Sequence, residues 1–61
     1  MPNLTTKELT ALEETLGSEQ VLIAKYTAHA NACSDPALKN KYTSIAERHH
    51  THYKTLLSFL K

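Results

Sequence analysis

The chain has 61 residues and a formal net charge of +1, with 7 basic and 6 acidic residues. This balance excludes the strongly basic surface typical of proteins that bind nucleic acid or anionic membranes. The sequence has neither a long apolar run nor a signal peptide, so we expect no membrane span and no export. A domain this short buries only about 60% of its unfolded surface. Its single cysteine cannot close an internal disulfide, so metal binding or self-association is expected to supplement the core.

The first half of the chain begins with a helix-start signal. Thr5 and Glu8 have the spacing of a capping box. Beyond them, inward positions recur alternately three and four residues apart, which is typical of a helix in a bundle. This first stripe consists of Leu9, Leu12, Leu16, Glu19, Ile23, Tyr26, Ala30 and Cys33. The pattern predicts a helix over about 5–33 that ends on Cys33 as a small buried group.

A short turn separates this helix from a second one. Asp35 is a favourable N-cap, and Pro36 suits the first helical position, so we expect a turn at 34–35 and a helix over about 36–60. The second stripe consists of Leu38, Tyr42, Ile45, His49, His52, Leu56 and Phe59. Because the connection is short, the sequence predicts a single all-α domain over 1–61, an antiparallel helical hairpin.

The polar residues that interrupt the two stripes are predicted to meet. A turn at 34–35 places Glu19 level with His50, between His49 and His52. Zinc, iron and manganese all accept imidazole and carboxylate ligands, so Glu19, His49 and His52 are a candidate metal site. The alternative is a layer of Glu–His hydrogen bonds that fixes the register of the helices without a metal. The spacing leaves both roles open.

Other polar and aromatic residues near this layer also have candidate roles. Glu47 and His50 form a Glu-x-x-His pair, a spacing that di-iron bundles use. The phase of the second stripe turns this pair outward, so a solvated face is the alternative to ligation. Tyr26 and Tyr53 are expected to pack in the core with satisfied hydroxyls. His29 is expected to be exposed.

One hairpin cannot enclose two apolar stripes. We therefore expect a homodimer in which two hairpins form a four-helix bundle about a two-fold axis. If the axis passes near the polar layer, the bundle centre collects two glutamates and four histidines.

Three segments carry a resemblance to a known family: LTTKELTALEETLGSEQVLIAKY, ACSDPALKNKY and IAERHHTHYKTLLSFL. They resemble small spore-coat proteins of endospore-forming Firmicutes that are related to the spore coat protein F family. The resemblance covers about Leu4 to Leu60, and it implies a ferritin-like helical bundle. Ferritin-like metal sites use a glutamate and a Glu-x-x-His. Here Glu19 matches the first, but His49 stands where the bridging glutamate is expected.

The resemblance implies a structural role in the spore coat or in sporulation, with a location in the coat or the cytoplasm. It implies no enzymatic activity, and other coat proteins are expected partners besides a second copy. Two alternatives remain open. One is a ferritin-like protein that binds zinc, iron or manganese between chains through Glu19, His49 and His52. The other is an adaptor hairpin whose partner completes the bundle.

Overall fold

The computed structural model describes residues 4–60, and these residues form a hairpin of two helices. Helix α1 spans Thr6–Ala32, and helix α2 spans Pro36–Leu57 and continues into one 3₁₀ turn, Ser58–Leu60. No strand occurs in this part of the chain, so the predicted all-α hairpin is confirmed. The domain limits predicted at residues 1 and 61 lie outside the described residues. Neither helix is long and apolar enough to cross a bilayer.

The capping box at the start of α1 is present as predicted. The backbone N–H of Glu8 donates to the Thr5 hydroxyl at 3.1 Å, and the backbone N–H of Thr5 donates to Glu8 Oε1 at 3.0 Å. These bonds satisfy two amides at the start of the helix, where intrahelical acceptors are absent. The backbone N–H of Thr5 and, to a lesser degree, its hydroxyl hold the pKa of the Glu8 carboxyl below its ordinary value, because hydrogen bonds to the carboxylate favour the charged form.

The turn between the helices follows the predicted cap, with one difference at Cys33. Asp35 Oδ1 accepts hydrogen bonds from the amides of Ala37 and Leu38, and Pro36 occupies the first helical turn. Cys33 is half-buried rather than buried, and its thiol donates to the Asp35 carbonyl at 3.5 Å. The reason is its position: Cys33 is the C-cap of α1, where only the turn lies beside it.

The core of the hairpin is small. The buried apolar residues are Leu16, Ala30 and Ala46, and no described side chain is fully buried. Leu9, Leu38 and Phe59, which the stripes predicted as inward, are exposed instead. Two helices touch along one line, so a side chain near either end of a stripe has neighbours on one side only.

The overall dimensions agree with this thin core. The hairpin measures 46 × 16 × 11 Å and has a radius of gyration of 14.3 Å. A compact domain of this length has a radius of gyration of about 10–11 Å. The hairpin is therefore a single elongated layer with two open faces.

Candidate metal centre

Midway along the hairpin, one acidic side chain of α1 lies between two histidines of α2. Glu19 Oε1 lies 2.9 Å from His49 Nδ1, and Glu19 Oε2 lies 3.1 Å from His52 Nδ1. Each carboxylate oxygen therefore has its own imidazole partner. The predicted register, with Glu19 between the two histidines, is confirmed by these contacts. We call Glu19, His49 and His52 the polar layer.

The three side chains of the polar layer differ in their exposure to solvent. Glu19 is the one buried charged residue in the described part of the chain. The side chain of His49 is 23% exposed, and that of His52 is 54% exposed. Burying a carboxylate costs several kcal/mol unless it is paired and hydrogen-bonded, and the two imidazoles supply those bonds. The layer thus runs from a buried carboxylate to a solvent-accessible ring.

The chemistry of the carboxylate fixes the direction of these hydrogen bonds. An ionised carboxylate can only accept, so His49 and His52 each donate the N–H of Nδ1 to Glu19. In a neutral imidazole the other nitrogen, Nε2, then carries the lone pair. In this tautomer Nε2 is the nitrogen that can bind a cation, and binding through Nδ1 requires the proton to move to Nε2.

Aromatic neighbours hold the inner ring of the layer in place. His49 stacks on Tyr26 with ring centroids 6.0 Å apart and an 11° angle between planes, and it meets His52 edge-on at 5.9 Å. Tyr26 also stacks on Tyr42, whose ring lies 5.3 Å from that of His29. Tyr26 is half-buried, and His29 is exposed as predicted. The rings of Tyr26 and His29 also meet edge-on, with centroids 5.9 Å apart. Their spacing of three residues along one helix could have predicted this contact, which the sequence interpretation missed.

A second polar contact between the helices also escaped the sequence interpretation. The side-chain amide of Gln20 donates to the Tyr53 hydroxyl at 3.1 Å. These two residues each follow a member of the polar layer, Glu19 and His52. Because the helices run antiparallel, one step along each chain moves the two positions apart along the axis, so the register of the polar layer does not predict this contact. Tyr53 therefore has a satisfied hydroxyl, as expected, but its partner lies outside the polar layer.

The three side chains of the polar layer are close enough to share one ion. One ligand atom from each of Glu19, His49 and His52 lies within 4.8 Å of the other two. Bonds of about 2.0–2.2 Å to a tetrahedral ion place its ligand atoms roughly 3.3–3.5 Å apart, which falls within this spread. The residues fit a metal, and they also fit a hydrogen-bonded layer without one.

Glu47 and His50 do not join the polar layer. Both are exposed, and they line an open groove on one face of the hairpin. The bottom of the groove is formed by buried or half-buried apolar residues, namely Ile23, Ala30 and Ala46. The exposed residues that complete its lining are Thr27, Asn31, Thr43, Glu47 and His50. The predicted outward direction of the Glu-x-x-His pair agrees with this placement.

Comparison with known proteins yields no relative. No protein family matches the chain, and no curated protein or solved structure matches it significantly.

Proposed function

We propose that the protein is a structural building block that assembles with a second copy of itself. The sequence resemblance makes the spore coat its expected place of assembly. The observation that carries this proposal is the amount of apolar surface that the hairpin leaves open. Among residues 4–60 only three apolar residues are buried, whereas large apolar side chains stay exposed. The exposed ones among the described residues are Leu9, Val21, Leu38, Leu57, Phe59 and Leu60.

The surface area of the chain supports a partner of about its own size. The chain exposes 4665 Å². A compact monomer of this mass exposes about 4,000 Å². The excess, about 700 Å², is close to the roughly 800 Å² that each partner buries in a protein–protein interface of standard size. One more hairpin packed on one face would cover it.

The groove is a surface that a second copy can approach closely, and the six exposed large apolar side chains lie outside its lining. Ala30 and Ala46 at its bottom are small, so a helix can approach closely there. Its lining carries one carboxylate, that of Glu47, and the net charge of +1 gives little repulsion between copies. A two-fold arrangement uses the same patch on both chains and closes after two copies. Two hairpins joined in this way form a four-helix bundle.

Sedimentation equilibrium over a range of concentrations tests the assembly. We expect a species of twice the 6.8 kDa chain mass. Thr27→Arg places a long charged side chain at the edge of the groove without removing a core contact, and it should weaken association at least tenfold. Ala28→Arg is the matched control, because Ala28 is the next residue, is exposed and does not line the groove. A folded wild-type chain that stays monomeric at all concentrations would contradict the proposal and favour an adaptor hairpin with another partner.

Immunodetection in fractionated spores tests the cellular role. We expect the protein in coat extracts of purified spores, together with other coat proteins. Its confinement to vegetative cells would contradict a role in the coat and leave the self-association argument untouched.

A further inference from the structure

We propose that Glu19, His49 and His52 bind one divalent first-row transition-metal ion within a single hairpin. Self-association does not require this, because the apolar groove and the hydrogen-bonded layer suffice for it. The donors are one carboxylate and two imidazoles, a set that suits zinc, ferrous iron and manganese. Three properties of the donors support this metal site: their geometry, their charge and their access to solvent.

The donor atoms are nearly in place for an ion. Glu19 Oε1 lies 2.9 Å from His49 Nδ1, and Glu19 Oε2 lies 3.1 Å from His52 Nδ1. One ligand atom from each of the three residues lies within 4.8 Å of the other two, and the spacing around a tetrahedral metal is roughly 3.3–3.5 Å. Side-chain rotation would exchange these two hydrogen bonds for three metal–ligand bonds, and each imidazole that binds through Nδ1 would carry its proton on Nε2 instead. Stacking on Tyr26 already restricts the ring of His49, so binding orders that ring at little further entropic cost.

The charge of the polar layer favours a cation. Among residues 4–60, Glu19 forms ion-pair contacts with His49 and His52 alone, and no lysine or arginine neutralises it. The layer therefore contains one buried carboxyl group and no side chain with a permanent positive charge. A divalent ion supplies that charge and keeps the carboxylate bonded to an ionic partner.

The layer also offers an access route and an open coordination position. The side chain of His52 is 54% exposed, so an ion can arrive from solvent along this ring. Three protein ligands leave the fourth position of a tetrahedral ion to water. No second carboxylate joins the group among the described residues, so the site holds one ion and not a carboxylate-bridged pair.

Because one chain supplies all three ligands, the site does not depend on dimerisation. We expect one ion per chain, in the wild type and equally in the Thr27→Arg variant. A wild-type chain that stays monomeric and binds metal would overturn only the proposed function. A stable dimer that binds no metal would overturn only this proposal.

Titration of chelator-treated, untagged protein tests the site. Calorimetry with Zn²⁺ should give one ion per chain. At a free zinc concentration of 100 times the dissociation constant, Tm should rise by about 10–20 °C. Co²⁺ should produce the intense visible absorption of a four-coordinate complex. Absence of heat and of any Tm shift, or one ion per two chains, would overturn the proposal.

Three variants separate this site from adventitious binding. Glu19→Gln preserves the shape of the side chain and removes its charge, and His52→Ala changes the most exposed member of the layer. Each should weaken zinc binding at least about 100-fold, more than is typical for changes to residues that only hydrogen-bond a metal ligand. His29→Ala is the matched control, since His29 is exposed and lies outside both the three-residue group and the lining of the groove. Unchanged affinity in Glu19→Gln and His52→Ala, or a loss in His29→Ala alone, would overturn the proposal.

Discussion

The polar layer has its hydrogen-bond partners within one chain, whereas the apolar stripes of the hairpin are only partly buried. No buried side-chain polar atom in the described residues lacks a hydrogen-bond partner, and Glu19 has a partner for each oxygen. The stripes, in contrast, remain largely half-buried or exposed. A hydrogen bond is complete with one partner in the right place, whereas an apolar side chain must be surrounded on all sides. One chain therefore fixes the register of its two helices through the polar layer, but two helices bury too few apolar side chains to form a full core.

The largest expected effect comes from breaking the small buried part of the stripes. Leu16→Ala should lower the free energy of unfolding by about 2–3 kcal/mol, because it leaves a cavity beside the polar layer. Val21→Ala is the control in the same helix, since Val21 is 66% exposed and should change stability by less than about 0.5 kcal/mol. Urea unfolding followed by circular dichroism, at fixed protein concentration, measures both. Equal effects would mean that Leu16 contributes no more to the core than a surface residue.

A smaller effect measures the polar layer itself. In double-mutant cycles with alanine, Glu19 and His49 should couple by about 1–2 kcal/mol. Glu19 and His52 should couple by less than about 1 kcal/mol, because solvent screens the more exposed ring. A chelator in every sample keeps metal from contributing. Stronger coupling to His52 than to His49 would show that burial does not govern the strength of these contacts.

The smallest effect concerns the capping contact between Thr5 and Glu8 at an exposed end of the hairpin. It allows an exposed polar pair to be compared with the buried polar layer. The folded-state pKa of Glu8 is lowered, so the capping contact is fully present above the ordinary pKa of glutamate. Its contribution is lost as the pH falls through the lowered value. The stability difference between wild type and Glu8→Ala should therefore shrink on acidification. Thermal melts between neutral and acidic pH test this, with Glu13→Ala as a control for loss of an exposed carboxylate from the same helix. A difference that persists at low pH would contradict the role of the charged form.

Local signals allowed much of the hairpin to be predicted before its structure. Thr5 with Glu8, and Asp35 with Pro36, mark helix starts through bonds that span at most three residues, so no tertiary information is needed. The predicted helices at about 5–33 and 36–60 lie close to the observed Thr6–Ala32 and Pro36–Leu57 with its final 3₁₀ turn. Ser58 explains that turn in part, because its hydroxyl bonds the Thr55 carbonyl and competes with a regular helix end.

The polar layer was also within reach of the sequence. Helical periodicity places Glu19, His49 and His52 on inward faces, and the position of a short turn sets which residues lie at one height. The sequence could not predict that the three donors fit a single ion, since this fit depends on side-chain rotamers and on distances of a few ångströms.

The sequence by itself determined where the helices begin, which faces they turn toward each other, and which polar residues meet. Only the tertiary structure decided how much of each stripe is covered. Leu9 and Leu38 belong to the periodic pattern and are nevertheless exposed, and Gln20 finds Tyr53 outside it. The physical reason is that periodicity records the direction of a side chain along one helix. Burial depends on what surrounds that side chain, and two helices in a single layer supply neighbours along only one line of contact.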